Sequence, residues 1–252
     1  MVLYPIADQK NDTSPPVPIW NAVEESQKQV TPECWLVTQP AHANLAGELA
    51  SALREDFFAP IDETVSRCIA LHDAGWSMAD AEQIHSLRSN PKLQPRSFVD
   101  ASFEEALQAW TRSIETAEKF EPVGGYLVSS HFAQLSQRVD PQSKARFEAF
   151  RKQETVRRQC LRSMVQQDEK TLELLIDALQ FCDVLSLYLC CGSTRSVEIG
   201  RQRKILVTRK GEEYKLQPSP FKGACQFSFS ALRHPAPTGN KRHSGATFYL
   251  NL

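Results

Sequence analysis

Long uncharged apolar runs and glycine-rich phosphate loops are both missing from this sequence of 252 residues. The first absence excludes a membrane-spanning helix, and the second excludes a P-loop or a dinucleotide fingerprint of the GxGxxG type. Glycine is scarce, with 10 residues, and the 15 prolines stay far below low-complexity levels. The sequence therefore predicts a folded, soluble protein.

Paired cysteine spacing is missing as well. The 7 cysteines form no CxxC motif, and most lie inside apolar stretches such as residues 68–71. This pattern predicts buried, reduced thiols rather than disulfides. The first residues lack the basic region and the long apolar core of a secretory signal. We therefore expect a cytoplasmic protein.

An excess of one charge sign is also lacking, since 29 basic and 30 acidic residues give a formal charge of −1. The balance is uneven along the chain: residues 1–193 hold 18 basic and 27 acidic residues, whereas residues 194–252 hold 11 and 3. The total does not favour nucleic acid as a partner. The basic segment can face the acidic one, face solvent, or form a local anion site.

Composition and periodicity divide the chain into three segments: a polar, proline-containing lead-in (1–33), a helical domain (34–193) and a basic, β-rich C-terminal appendage (194–252). Apolar spacing predicts helices over 40–57, 62–74, 102–118, 124–139, 142–167 and 168–191, with a loop over 85–102. Strand-like runs lie at 34–38, 204–208, 214–216, 226–230 and 246–250. The predicted fold class is mainly α, a helical bundle with a small antiparallel β appendage that the strand around Trp35 could join.

Four of the predicted helices place ionisable side chains in apolar surroundings. They are His42 in a first turn, the pair His72 and Asp73 at a helix end, His131, and Asp183 in the middle of the most apolar helix. A buried carboxylate costs several kcal/mol unless a cation compensates it. Imidazole nitrogens and carboxylate oxygens together suit Fe, Mn, Co or Zn.

Each residue alone also has a plain structural interpretation. Asp183 could pair with Arg157 or Arg158, and His131 could be a hydrogen-bonded core residue. Taken together, the four positions favour a metal site over these separate explanations.

The order of a histidine, an adjacent His-Asp pair and a distal aspartate resembles the HD-domain superfamily of metal-dependent phosphohydrolases. The surrounding sequence also resembles an uncharacterised bacterial family, domain of unknown function 3891, which we associate with that superfamily. The segments that carry this resemblance are WLVTQPAHANLAG (35–47), LHDAGW (71–76), SSHFAQL (129–135) and CDVLSLYLC (182–190). The resemblance spans roughly residues 34 to 232.

The resemblance implies an HD-like helical fold and a site for a divalent transition metal (Fe, Mn, Co or Zn). Its ligands would be His42, His72, Asp73 and Asp183. Dinuclear members place additional histidines between the His-Asp pair and the last aspartate, and here only His131 is well placed there. One ion is therefore expected, with His131 contacting substrate or water.

The implied activity is hydrolysis of a small phosphorylated compound or nucleotide by metal-activated water. Asp80 or His131 would take the proton, and Arg138, Arg157 and Arg158 would neutralise the phosphate. Too few histidines are present to favour an oxygenase with an iron pair. The non-enzymatic alternative is a regulatory protein whose ion is structural or sensory and whose basic β segment contacts an acidic partner or nucleic acid.

Overall fold

A computed structural model shows helices packed on an eight-stranded mixed sheet. The described residues are 1–6, 14–28, 33–137, 145–200, 204–210, 213–236 and 245–252. Their helices are Ile19–Lys28 (α1), Gln39–Ser51 (α2), Glu63–Ala70 (α3), Ser77–Ser89 (α4), Phe103–Phe120 (α5), Pro122–Leu135 (α6), Glu148–Arg162 (α7) and Glu169–Cys190 (α8). Two 3₁₀ turns, Ala74–Trp76 and Phe98–Asp100, connect them.

The sheet draws its strands from both ends of the chain. Their bounds are Val2–Pro5 (β1), Val17–Pro18 (β2), Cys34–Val37 (β3), Val197–Ile199 (β4), Ile205–Lys210 (β5), Glu213–Gln217 (β6), Gln226–His234 (β7) and Gly245–Asn251 (β8). The spatial order is β1-β3-β7-β8-β6-β5-β4-β2. Neighbours are antiparallel except for the pairs β6–β8 and β4–β2, which are parallel.

The prediction of a mainly α bundle with a small β appendage is wrong. The protein is mixed α/β, 55% helical and 19% strand, and one sheet combines strands from all three predicted segments. Buried residues of β5, such as Val207, belong to the same hydrophobic core as Leu45 of α2 and Leu179 of α8. The local pattern missed this because β1 and β2 are too short to show alternation and their partners lie far along the chain.

N-terminal caps explain where helices α2 and α8 begin. The Thr38 side chain accepts a hydrogen bond from the Ala41 N–H, and Pro40 occupies the first turn of α2. Asp168 caps α8 by accepting from the Thr171 N–H at 2.9 Å. Beyond its end, Gly192 has a φ of 64°, a conformation that favours glycine. Helix α8 confirms the sequence-based prediction, whereas α2 begins as predicted but ends at Ser51 rather than at residue 57.

Other segments also differ from the sequence-based prediction. Helix α4 covers the start of the expected loop at 85–102, and the lead-in contains β1 and α1. In the lead-in, the buried Gln27 of α1 binds the edge of β1: its Oε1 accepts from the Leu3 N–H at 2.8 Å, and its Nε2 donates to the Leu3 carbonyl at 2.9 Å. Tertiary contacts of this kind leave no local periodic signal.

Helix α2 packs against α3, α8 and β7, and α8 also contacts α6 and α1. This arrangement places His42 of α2 and both Asp183 and Ser186 of α8 in the interior between helices. Among the described residues, no helix combines the length and apolar character needed to cross a membrane.

Replacing Gln27 with Met should lower the free energy of unfolding by about 2–4 kcal/mol, because the Leu3 N–H and C=O would both lose a buried partner. Chemical denaturation measures this change. The matched control is Gln153→Met on the exposed face of α7, which should change stability by no more than about 0.5 kcal/mol. Equal effects of the two substitutions would contradict the assigned role of Gln27.

Candidate metal centre

His42 lies one turn inside α2 and is completely buried. Its backbone N–H donates to the Thr38 carbonyl at 3.2 Å, so the capped first turn fixes its place in the helix. The apolar residues that follow it, Leu45 and Leu49, are also buried. The ring is therefore held inside the core and directed toward α3 and α8.

His72 and Asp73 occupy the turn that follows α3. The backbone N–H of His72 donates to the Ile69 carbonyl at 3.1 Å, and its Nδ1–H donates to the same carbonyl at 2.8 Å. His72 is fully buried and Asp73 is 8% exposed. The Nε2 atom of His72 is thus directed away from its own helix, into the interior.

Gly75 lets this turn pack tightly against α5. Its N–H donates to the Ser113 Oγ at 2.9 Å. A Cβ at position 75 would lie 2.0 Å from the Ala109 carbonyl oxygen, which no side chain can accommodate without a backbone shift. Only glycine fits between the His-Asp turn and α5.

The predicted ligands converge. His42 Nε2 lies 2.8 Å from Asp73 Oδ2, and His72 Nε2 lies 3.9 Å from the same oxygen. Asp183, on α8, places its Oδ1 3.2 Å from His72 Nε2. The ligand atoms of His42, His72 and Asp73 all lie within 4.8 Å of one another. We call these four residues the His-Asp cluster.

These separations fit one ion. Around an octahedral ion with ligand atoms at about 2.1 Å, neighbouring ligand atoms lie about 3.0 Å apart and opposite ones about 4.2 Å apart, and the cluster distances of 2.8, 3.2 and 3.9 Å lie close to this range. Two imidazole nitrogens and two carboxylate oxygens form a donor set that Fe, Mn, Co and Zn all accept. The residues present therefore fit the predicted metal.

The pKa values of His72 and Asp183 are both strongly shifted. Burial alone lowers the pKa of His72, but the charge of Asp73 and the hydrogen bond and charge of Asp183 outweigh burial and raise it to about 9. Burial alone raises the pKa of Asp183, but the hydrogen bond from His72 and the positive charges of the three neighbouring histidines hold it well below its usual range. At neutral pH the pair is an imidazolium and a carboxylate.

His131 extends the cluster on one side. This buried residue of α6 places its Nε2 3.5 Å from Asp183 Oδ2, and its ring centroid lies 5.7 Å from that of His72. His131 and Asp183 also line a cavity of about 580 Å³. The cluster therefore meets the cavity at these two side chains.

The rest of the cavity wall combines aromatic, aliphatic and polar groups. The Phe58 and Phe181 rings lie 5.3 Å apart and belong to this wall. The remaining described lining residues are Pro18, Ile19, Trp20, Glu55, Asp56, Phe57, Leu135, Lys170, Leu174, Asp177, Gln180, Val184, Glu198, Ile199, Gly200 and Ile205. The volume is within the range of small-molecule sites.

The structure does not bring every predicted residue to the cluster. Both oxygens of the buried Asp80 have partners elsewhere: Oδ2 accepts from the Gln39 N–H at 2.6 Å, and Oδ1 pairs with the amino group of Met1 at 3.1 Å. Asp80 thus joins the start of α2 to β1, a structural role. Arg138 lies outside the described residues.

The other two predicted phosphate ligands, Arg157 and Arg158, lie on α7, behind α6. Arg157 pairs with Glu118 and with Glu154, and Arg158 donates to the Ser129 Oγ at 3.0 Å. Neither belongs to the described lining of the cavity. Asp183 faces histidines rather than these arginines.

Several site residues escaped sequence reasoning. Ser186 binds His42, and a stripe on α8 at Leu174, Asp177, Phe181 and Val184 lines the cavity. Their spacing of three and four residues is helical. That spacing was a usable signal, but in a helix apolar on most sides it does not distinguish a cavity wall from core.

This chain is thus a mixed α/β protein with a buried His-Asp cluster beside an open cavity. It belongs to the family described as "Protein of unknown function (DUF3891)", whose model matches residues 27–232. The match confirms the sequence-based assignment to that uncharacterised family, while the link to the HD-domain superfamily stays a prediction. No curated protein and no solved structure matches the chain.

The raised pKa of His72, about 9, predicts proton-coupled metal binding. A metal needs the Nε2 lone pair, so below pH 9 each bound ion must displace one proton from His72. The dissociation constant for Zn²⁺ should therefore fall about tenfold per pH unit as the pH rises from about 6.5 to 8.5. A competing chelator dye measures it, and a flat profile would contradict the assignment.

Gly75→Ala should displace the His-Asp turn from α5. We expect the free energy of unfolding to fall by about 3 kcal/mol through overpacking, and Zn²⁺ binding to weaken with it. The control is Gly223→Ala, because a Cβ at Gly223 would have no atom within 4 Å. Thermal denaturation and zinc titration compare the two variants. If Gly75→Ala has the stability and the zinc affinity of the wild type, the tight contact between the turn and α5 is refuted.

Proposed function

We propose that this protein is a metal-dependent hydrolase in which one divalent transition metal ion, held by the His-Asp cluster, activates water against a small-molecule substrate. One observation carries the proposal. Two imidazoles and two carboxylates from α2, α8 and the turn after α3 converge in the interior, at the side of a cavity that a small molecule can enter. The order of these residues in the sequence also resembles that of the HD-domain superfamily.

The open side of the cluster supports hydrolysis over a closed structural site. His42 and His72 are completely buried, whereas Asp183 and His131 line the cavity. Structural zinc sites are saturated by protein ligands, while catalytic sites keep a position for water or substrate. When bound, the ion would lower the pKa of its water from the value in bulk water to about 7.

His131 is the residue that we assign to proton transfer. Its Nε2 faces Asp183 at 3.5 Å, and its ring also lines the cavity, so it contacts both the ligand set and the space for substrate. General bases act across such short distances, directly or through one water. Asp80 has no part in this proposal because both of its oxygens are engaged.

For the substrate we propose a small phosphorylated compound or nucleotide. The cavity volume of about 580 Å³ suits a molecule of this size, and the aromatic wall at Phe58 and Phe181 suits an organic body. Lys170 is the cationic side chain in the described part of the lining. Arg157 and Arg158 contact other residues and do not support a phosphate site here. The phosphate group of the substrate is therefore proposed from the family resemblance alone.

The test combines metal analysis with a substrate panel. Purified protein should contain about one equivalent of transition metal, and the double substitution His72→Ala with Asp73→Ala should remove it, because two of four ligands are lost. The control is His85→Ala, an exposed histidine of α4, which should retain metal. Undiminished metal in the double variant would refute the site.

Activity is measured on phosphomonoesters, nucleotides, cyclic phosphodiesters and carboxylic esters, with Mn²⁺, Fe²⁺, Co²⁺ or Zn²⁺ added. We expect turnover that a chelator abolishes and that His131→Ala lowers by about 10²–10⁴-fold, the usual effect of losing an acid-base group. If the protein hydrolyses only carboxylic esters, the proposal of a hydrolase stands and the proposed phosphorylated substrate is wrong. If the metal-loaded protein hydrolyses none of these compounds, the proposed enzymatic activity is refuted.

A further inference from the structure

Ser186 of α8 is completely buried beside the His-Asp cluster. Its Oγ lies 3.0 Å from His42 Nδ1 and 2.8 Å from the backbone carbonyl oxygen of Asp183. One hydroxyl thus contacts a ligand of α2 and the backbone of a ligand of α8.

The chemistry of these three groups assigns the hydrogen positions. A carbonyl oxygen only accepts, and a serine hydroxyl has a single hydrogen. In helices this hydrogen usually points to the carbonyl three or four residues earlier, which here is that of Asp183. The Ser186 Oγ then accepts from His42, whose proton is on Nδ1. His42 Nε2 lies 2.8 Å from Asp73 Oδ2 and donates there when it carries a hydrogen. In the neutral imidazole that a metal ion binds, Nε2 carries the lone pair instead.

His72 shows the same arrangement with a different acceptor. Its Nδ1–H donates to the Ile69 carbonyl at 2.8 Å, and its Nε2 faces the interior of the cluster. Both rings therefore bond outward through Nδ1 and face inward with Nε2. The acceptor for His72 is backbone, which no substitution removes, whereas the acceptor for His42 is a single side chain.

We propose that Ser186 is a positioning residue that holds His42 in the Nδ1–H tautomer and directs its Nε2 to the metal. The inference rests on the proposed function, because it assumes that the cluster binds an ion. Outer hydrogen bonds of this kind orient a ligand histidine and strengthen metal binding by about 10- to 100-fold. Through this contact Ser186 also joins α2 to α8.

The experiment compares Zn²⁺ affinity in four proteins: wild type, Ser186→Ala, Ser186→Thr and the control Ser136→Ala. Ser136 is also completely buried, and its hydroxyl donates only to the nearby Ala133 carbonyl in the contacts described. Ser186→Ala should weaken Zn²⁺ binding about 10- to 100-fold. Ser186→Thr keeps the hydroxyl and should recover most of the loss, and Ser136→Ala should bind like wild type.

Two further readouts separate positioning from general destabilisation. Thermal denaturation without metal should show similar small losses for Ser186→Ala and Ser136→Ala. In the zinc-loaded protein, the His42 Nδ1–H proton resonance should be protected from exchange in wild type and Ser136→Ala, and exchange rapidly in Ser186→Ala. A purely structural serine would not change this resonance selectively.

The outcomes distinguish the two proposals. If wild type binds no metal under any condition, the proposed function fails, and the role of Ser186 fails with it. If wild type binds Zn²⁺ and Ser186→Ala binds it within about twofold of wild type, the metal site stands and the role of Ser186 is refuted.

Discussion

The close approach of α2 to α3 is the constraint on which the site depends. A Cβ on Gly47 would lie 2.7 Å from both the Ala70 Cβ and the Ser66 carbonyl oxygen. With glycine at this crossing, the helices come close enough for His42 to reach Asp73 at 2.8 Å. A bulkier residue would separate the helices and open that distance, because helix spacing follows the side chains at the contact.

Burial and charge balance act together in this interior. Each carboxylate and imidazole of the cluster would be costly to bury alone, but each has an opposite charge or a hydrogen-bond partner within a few ångströms. The ion pairs and hydrogen bonds that offset the cost of burying the cluster also direct its nitrogen and oxygen atoms toward one another. Stability and ligand geometry are therefore two results of one arrangement.

Local signals in the sequence predicted much of the helical part. The apolar run of α8 and the helical spacing of α2 both correspond to the structure. The convergence of His42, His72, Asp73 and Asp183 followed from polar groups in apolar helices, together with a family resemblance. These features are local or compositional, so they can be read from a single chain.

Most long-range pairing could not be read in the same way. The pairing of the strand around Trp35 with the C-terminal strands was expected and is confirmed as β3–β7. Strands β1, β2 and β4 were missed because they are too short to show alternation, and the partners of Asp80 and Arg157 lie on other elements of the fold. Ser186 carries no signal of its own, since a serine in an apolar helix usually bonds only its own backbone. The contact with His42 exists only after α2 and α8 have packed.

The order of the sheet also governs how the chain reaches its native state. Strand β3 pairs with β7 so that Cys34 lies opposite His234, 200 positions later. During synthesis, β3 cannot pair with β7 until the residues around His234 have been made. Pairing over such a distance raises contact order and slows folding. The helices that carry the cluster, all made earlier, are therefore expected to assemble first and to serve as the surface on which the sheet closes.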